Sequence, residues 1–332
     1  MSDDEILRLR ICDLKLRIPG TELESRIETF YGELAAKGIS VKPLCYLGEE
    51  WFCPEGCATI AIPFYLAHPR LKKLEEKMMM EVEGGTESWC LRLLRHEMGH
   101  VLNHTYLLEK DKKWRKLFGS PSLEYSESYR ARPYSKRFVR HLEGWYAQSH
   151  PEEDFAETFA VWLTPRSNWR KRYAGWPALK KLNYVDELMA EIAEQRPQMT
   201  RRRRTDPLNK YKITLAEYYE KKQALYAVDT PKTYDRELHR LFSADPKYRR
   251  RRAASTFLRK NRTKIRQMVA KWTGEHQFTL DSVIDDMIDR CRELKLRAVG
   301  PERQLKIDFI VLLTAKTVHS LYGPKRRQWF AL

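Results

Sequence analysis

The spacing of apolar residues predicts a mainly helical chain with one short β region near its start. Apolar positions recur at helical spacing over residues 20–37, 68–83, 88–108 and 176–195. After the first of these helices, the runs "KPLCYLG" and "ATIAIPFYL" favour short strands, with a "CPEG" turn between them. The sequence therefore predicts an α+β fold in which a small sheet accompanies several helices.

In two further stretches of the first 200 residues, the prediction does not rest on the helical spacing of apolar residues. Residues 149–165 predict a helix, because Pro151 takes an early helical position and acidic residues fill the first turn. Residues 108–140 are charged, aromatic and of low periodicity, which indicates a long surface connection.

The C-terminal part is predicted to be helical as well, with four long amphipathic stretches. These stretches cover residues 214–228, 254–274, 279–300 and 301–323. Two prolines and four consecutive arginines in "RPQMTRRRRTDP" mark a boundary before them. We therefore predict a domain over residues 1–195, a basic linker over 196–210 and a basic, all-helical region over 211–332.

The net charge of +17 lies entirely in the C-terminal part. Residues 1–200 contain 30 basic and 30 acidic residues, whereas residues 201–332 contain 32 basic and 15 acidic ones. Such an excess indicates an acidic partner. Three interpretations stay open: a nucleic-acid backbone, an acidic protein or peptide substrate, or solvated helix faces. No fold signature of a nucleic-acid-binding protein is visible.

Composition narrows the class of protein. Hydrophobic residues make up 42% of the chain, which supports a packed core. The first 20 residues lack the apolar region of an export signal, and the longest apolar run, residues 308–315, is too short to span a membrane. We expect a soluble cytoplasmic protein without a disulfide framework. Cys53 and Cys57 form a C-x3-C pair, for which ordinary thiols are favoured over a zinc knuckle.

The stretch "LLRHEMGHVLNH" contains residues of the types that bind a metal ion and activate water. His96 and His100 stand four residues apart, so on a helix both imidazoles face one side and can bind one metal ion. Glu97 can then deprotonate a water activated by that metal, as in peptide hydrolysis. The alternative is a helix with two satisfied histidines, but the apolar flanks indicate burial, where uncompensated imidazoles are costly. We predict a Zn²⁺ cofactor.

The third metal ligand is predicted to be a carboxylate. Asn103 and Tyr106 occupy the positions where a metzincin has glycine and histidine, so that class is excluded. His104 is favoured as a packing residue or as a neighbour that supports a ligand, rather than as a ligand itself. In "HPEEDFAETFA", Glu153 and Glu157 lie four apart, so one can bind the metal while the other accepts a hydrogen bond from a ligand imidazole.

These motifs resemble a bacterial family of zinc-binding metallopeptidases. That family has H-E-x-G-H followed by Y-x-x-x-H-P-x-E-D-x-A-E, and "HEMGH" and "YAQSHPEEDFAE" fit both patterns. The resemblance covers roughly residues 40–190. More distantly, the second motif is similar to the catalytic domain of anthrax lethal factor, and both groups are gluzincins. The resemblance implies a zincin-like metallopeptidase fold.

The resemblance also implies a role for each residue of the second motif. By position, Glu153 is the third zinc ligand, Glu157 orients a histidine, and Tyr146 stabilises the oxyanion. Asp154 stands where the toxin motif has an aromatic residue, although it fits the bacterial pattern. This departure keeps Glu157 as the alternative ligand.

Two functions therefore compete. The first is a zinc-dependent peptidase that acts on a protein or peptide substrate, with Glu97 as general base and residues 59–64 either as an edge strand that pairs with the substrate or as a core strand. The second is a nucleic-acid-binding or regulatory protein whose zincin domain is structural. An intact Glu97 favours the enzyme, because a structural site has no need of a base.

Overall fold

The computed structural model describes residues 1–125, 129, 131–226 and 234–322, the last four without their side chains. The chain forms two compact units. The first contains Met1–Lys77 and Val82–Tyr219, and the second contains Met78–Glu81 and the described residues between Glu220 and Tyr322.

The first unit combines helices with a two-stranded parallel sheet. The strands are β1 (Leu44–Gly48) and β2 (Thr59–Pro63). The helices that begin in this unit are α1 (Asp3–Leu7), α2 (Glu22–Ala36), α3 (Pro69–Met79), α4 (Glu87–Tyr106), α5 (Lys112–Phe118), α6 (Pro151–Leu163), α7 (Trp169–Arg172), α8 (Ala178–Ile192) and α9 (Leu215–Tyr226). This composition agrees with the predicted α+β class. Helix α5 lies within the segment predicted to be an irregular connection.

Strand β2 is buried along its whole length, as its apolar sequence "TIAIP" requires. It pairs with β1 in a register that places Leu44 opposite Thr59. On its other side, Ala61 exchanges backbone hydrogen bonds with Phe52 at 2.8 and 3.4 Å. The backbone of Ala61 is therefore already occupied, which favours the core-strand interpretation over a free substrate-binding edge.

The segment predicted as a linker, residues 196–210, is bound to the first unit through its backbone. The amide of Ala58 donates a hydrogen bond to the carbonyl of Arg201 at 2.7 Å, and the amide of Met199 donates one to Thr105 at 3.0 Å. The arginine side chains of this segment remain exposed. Backbone polar groups of this segment therefore have hydrogen-bond partners within the first unit.

The second unit is a helical bundle. Its helices after α9 are α10 (Asp235–Leu241), α11 (Ala254–Thr273), α12 (Gln277–Glu293) and α13 (Glu302–Tyr322). The predicted stretches correspond to α9 and α11–α13, although the ends of the first and last fall outside the described residues, and α10 was not predicted. Apolar residues from all four bundle helices form the core, among them Leu238, Phe257, Ile284 and Phe309. No described helix is both long and apolar enough to cross a membrane.

Candidate metal centre

Helix α4 presents two histidines from a buried position. The side chain of Thr86 caps the helix by accepting a hydrogen bond from the Trp89 amide. One turn of helix separates His96 and His100, and their Nε2 atoms lie 3.2 Å apart. Both residues are buried, at 3% and 8% exposure. The spacing in the sequence thus places both imidazoles at one point on the helix.

A close contact between helices brings α6 against this point. A Cβ atom added at Gly99 would lie 2.5 Å from the Cα of Ala156 on α6, well inside van der Waals contact. Only glycine permits this approach of the two backbones. The small pair Gly99 and Ala156 therefore sets the distance between the histidines and the acidic residues of α6.

Helix α6 supplies the carboxylate that faces both histidines. Its first turn is capped by His150, whose Nδ1 accepts a hydrogen bond from the Glu152 amide at 3.2 Å. From the first turn of this helix, Glu153 Oε2 reaches within 3.0 Å of His96 Nε2 and 3.2 Å of His100 Nε2. The structure thus brings together three side chains that the sequence nominated as ligands.

Glu157 takes a different place, behind the first histidine. Its Oε1 accepts a hydrogen bond from His96 Nδ1–H at 2.9 Å, and its Oε2 accepts one from the Leu142 amide at 2.8 Å. Both carboxylate oxygens are therefore occupied. With the proton on Nδ1, the Nε2 lone pair of His96 points to the cluster. This arrangement favours Glu153 over Glu157 as the ligand.

The dimensions of the cluster fit a small divalent cation. Three lone-pair atoms lie within 3.0 to 3.2 Å of each other. In a tetrahedral zinc site with bonds near 2.0 Å, ligand atoms are about 3.3 Å apart. Among the described residues, His96, His100 and Glu153 are the group suited to hold a metal.

The electrostatics of the cluster also favour positive charge. Burial lowers the pKa of His96, but the hydrogen bonds and charges of Glu153 and Glu157 outweigh burial, and the pKa lies well above its ordinary value. The described residues provide no lysine or arginine ion pair to these two carboxylates. The two carboxylates therefore favour positive charge at this cluster, which a divalent cation would supply.

Glu97 is the acidic residue of α4 beside this cluster. It is 7% exposed, and no described side chain donates a hydrogen bond to it. Burial raises its pKa above the ordinary glutamate value, while the charges of His96 and His100 lower it. A carboxylate with a raised pKa and no fixed donor can accept a proton from water.

Tyr146 lies beside the first histidine. Its ring centroid is 5.5 Å from that of His96. Gly144 and Trp145 just before it have positive φ angles of 69° and 63°, so the backbone departs from helical geometry immediately before Tyr146. Burial and the nearby charge of Glu153 raise the pKa of Tyr146 well above its ordinary value, so its hydroxyl remains a donor.

A comparison with known families points to the same chemistry. Residues 88–173 match the family described as "Putative zinc-binding metallo-peptidase". This stretch includes α4 from its second residue onward, Tyr146 and α6, and therefore all six residues that the sequence nominated for the site. The family description and the donor set agree on Zn²⁺ as the cofactor. No curated protein and no solved structure matches the chain.

One residue near the centre was not predicted from the sequence. Tyr125, in the connection that precedes α6, donates a hydrogen bond from its hydroxyl to Glu153 Oε1 at 3.2 Å or Glu152 Oε2 at 3.3 Å. It lies 28 positions before Glu153 in a segment without periodicity. No spacing rule connects two such positions, so only the fold could reveal the contact.

The remaining polar residues nearby do not form a second metal site among the described groups. His104 Nε2 lies 3.8 Å from Glu152 Oε2, and its Nδ1 lies 3.8 Å from the thiol of Cys53. All six cysteines are free. Burial raises the pKa of Cys53 well above the ordinary thiol value, as expected for an inert buried thiol.

Proposed function

We propose that the chain is a zinc-dependent peptidase of the gluzincin type with a zincin-like catalytic domain. The observation that carries the proposal is the buried convergence of His96, His100 and Glu153, with the uncommitted carboxylate of Glu97 beside it. Three protein ligands leave one position of a tetrahedral site open, which is the feature that separates catalytic zinc sites from structural ones.

Each residue of the site has a separate role in the proposed hydrolysis. Zinc, when bound, would polarise the scissile carbonyl and lower the pKa of water. Glu97 takes a proton from the attacking water and gives it to the leaving amine, for which its raised pKa is suited. The Tyr146 hydroxyl donates a hydrogen bond to the developing oxyanion. Glu157 keeps His96 in the tautomer whose Nε2 faces the cluster.

The experiment is the substitution Glu97→Gln, assayed on an unfolded protein substrate with zinc-loaded protein. We expect a loss of hydrolysis of about 10²–10⁴-fold at an unchanged zinc content, because the variant removes the base but none of the ligands. Glu87→Gln is the matched control, since Glu87 is an exposed residue of the same helix. If purified Glu97→Gln protein retains full turnover, the peptidase proposal fails.

A separate observation in the second unit supports binding to a nucleic-acid backbone as a second candidate function. Residues 247–273 contain eleven basic residues and no acidic one. Six of these cations are exposed and form no ion pair with any described residue, namely Arg249, Arg250, Arg251, Arg259, Lys264 and Lys271. Trp272 and Met268 are exposed beside them, at 72% and 45%. Cations with an exposed aromatic ring suit phosphates and stacked bases.

Fluorescence anisotropy with a single-stranded oligonucleotide tests this second candidate. We expect affinity to fall with salt, with a slope that is shallower in the Arg259→Ala, Lys264→Ala, Lys271→Ala triple variant. Trp272→Ala should cost about 1–3 kcal/mol per stacked base. If a polyglutamate peptide of equal charge binds as tightly and Trp272→Ala changes nothing, an acidic protein is the partner instead.

A further inference from the structure

A second tyrosine contacts the predicted metal ligand on the oxygen that the histidines leave free. Glu153 directs Oε2 toward both imidazoles, at 3.0 and 3.2 Å. Its Oε1 instead lies 3.2 Å from the hydroxyl of Tyr125, which is the donor. The two carboxylate oxygens of Glu153 therefore have different neighbours, and Oε1 is placed to accept the hydrogen bond of the Tyr125 hydroxyl.

His150 holds Tyr125 in this position. The His150 ring stacks on the Tyr125 ring with centroids 3.8 Å apart and planes 22° apart. Its Nε2–H donates a hydrogen bond to the carbonyl of Leu123 at 2.9 Å, while Nδ1 caps α6. One side chain thus joins the start of α6 to the segment that contains Tyr125.

The exposure of Tyr125 argues against a role in packing. The residue is 42% exposed, whereas tyrosines that support the core of the first unit, such as Tyr65 and Tyr173, are 1% exposed. The hydroxyl of Tyr125 reaches two carboxylates, those of Glu152 and Glu153. A half-exposed ring whose polar group reaches a ligand carboxylate is placed for the metal rather than for the core.

We propose that Tyr125 is a positioning residue that keeps Glu153 bound to the metal through one oxygen. The hydrogen bond to Oε1 restrains rotation of the carboxylate and prevents that oxygen from becoming a further ligand. The coordination position needed for catalysis then stays open. This inference rests on the metal site of the proposed peptidase, and it adds a second tyrosine with a task different from that of Tyr146.

The test is the substitution Tyr125→Phe, measured with the metal alone. Competition with a chromogenic chelator should show zinc affinity reduced about 10–100-fold, the usual effect of removing a hydrogen bond to a ligand. With Co²⁺ in place of zinc, the visible absorption should weaken, because freed Oε1 adds a fifth ligand. Tyr134→Phe is the matched control, since Tyr134 is 75% exposed and its ring is kept.

A second variant tests the contact of His150 with Tyr125 separately from the hydroxyl of Tyr125. His150→Asn keeps a good N-cap for α6 but removes the ring stack and the bond to Leu123. We expect zinc affinity and the Co²⁺ spectrum to change in the same direction as in Tyr125→Phe, by a smaller factor. Because neither readout requires hydrolysis, a failure of the Glu97→Gln test would leave this result standing.

Two outcomes would overturn the assignment. If Tyr125→Phe, with a native circular dichroism spectrum, binds zinc as tightly as the unchanged chain and gives the same Co²⁺ spectrum, Tyr125 does not position Glu153. If instead it lowers kcat alone at full zinc affinity, as we expect for Tyr146→Phe, Tyr125 acts on the oxyanion and the positioning role is wrong.

Discussion

Both units bury carboxylates on helices, but they compensate the negative charge differently. In the second unit, Asp281 on α12 is 3% exposed and accepts hydrogen bonds from Arg262 and Arg266 on α11. In the first unit, Glu153 and Glu157 are as deeply buried and face imidazoles. A carboxylate paired with arginine completes the fold by itself, whereas carboxylates paired with histidines can exchange protons for a metal ion.

The largest expected effect of this difference is a response to zinc in the first unit alone. At a free zinc concentration of 1,000 times Kd, binding adds about 4 kcal/mol to the stability of the state that holds it. Hydrogen exchange measured by mass spectrometry should therefore show added protection in α4 and α6. Protection in α11 and α12 should not change. Equal protection throughout the chain, or none, would contradict the comparison.

The reverse experiment breaks the charge pair of the second unit. Asp281→Asn removes the buried carboxylate that Arg262 and Arg266 share, and we expect a loss of about 3 kcal/mol in the free energy of unfolding. Urea denaturation should show this loss with and without zinc. Asp289→Asn on the same helix is the control, because Asp289 and its partner Arg292 are largely exposed and such pairs contribute under about 1 kcal/mol. A zinc-dependent loss in Asp281→Asn would argue against separate roles.

A third experiment measures how stability depends on pH. It concerns His141, which directly precedes the residue whose amide donates a hydrogen bond to Glu157. Burial lowers the pKa of His141 to about 4, and its Nε2–H donates a hydrogen bond to the Arg92 carbonyl on α4. In the unfolded chain, His141 binds a proton near its ordinary pKa of 6.5, whereas in the folded chain it does so only near pH 4. The folded state therefore keeps its full stability above pH 6.5 and loses stability as the pH falls toward 4. The loss should reach about 3 kcal/mol.

His141→Gln tests this pH dependence, because glutamine keeps a donor for the Arg92 carbonyl but does not titrate. Thermal unfolding of metal-free protein between pH 7 and pH 4 should show a smaller acid loss in the variant. Parallel pH curves for the two proteins would show that His141 is not the responsible group.

The smallest expected effects distinguish two helical glycines. Gly99→Ala places a methyl group against Ala156 and should cost about 1–3 kcal/mol in stability and weaken zinc binding. Gly32→Ala on α2 meets no atom within 4 Å and should instead stabilise the chain by about 0.5–1 kcal/mol. Denaturation curves and chelator competition on both variants measure the difference. Equal effects would mean that the close approach of α4 and α6 is not required.

Apolar periodicity predicted helix α4 of the site, and Pro151 with the acidic first turn predicted helix α6. The four-residue spacing of His96 and His100, and of Glu153 and Glu157, follows from helix geometry and could be read directly. Which glutamate faces the metal depends on the rotation of α6, and the contact of Gly99 with Ala156 fixes that rotation. Residue spacing alone contains no such information.

Other features depended on contacts far apart in the sequence. Tyr125 reaches Glu153 from a segment without periodicity, and the backbone of residues 196–210 pairs with residues about 95 and 140 positions earlier. The run of arginines marked a boundary in the sequence, but it gave no sign of these backbone contacts. Helix α10 was missed because seven residues are too few for a clear helical pattern.

The central claim is that His96, His100 and Glu153 hold one zinc ion, and metal stoichiometry tests it most directly. Protein dialysed against zinc and then against metal-free buffer is analysed by inductively coupled plasma mass spectrometry, alongside Glu153→Gln and Glu152→Gln. We predict one zinc per chain in the unchanged protein and in Glu152→Gln, and a clear loss in Glu153→Gln. An unchanged protein without zinc, or full occupancy in Glu153→Gln, would contradict the claim.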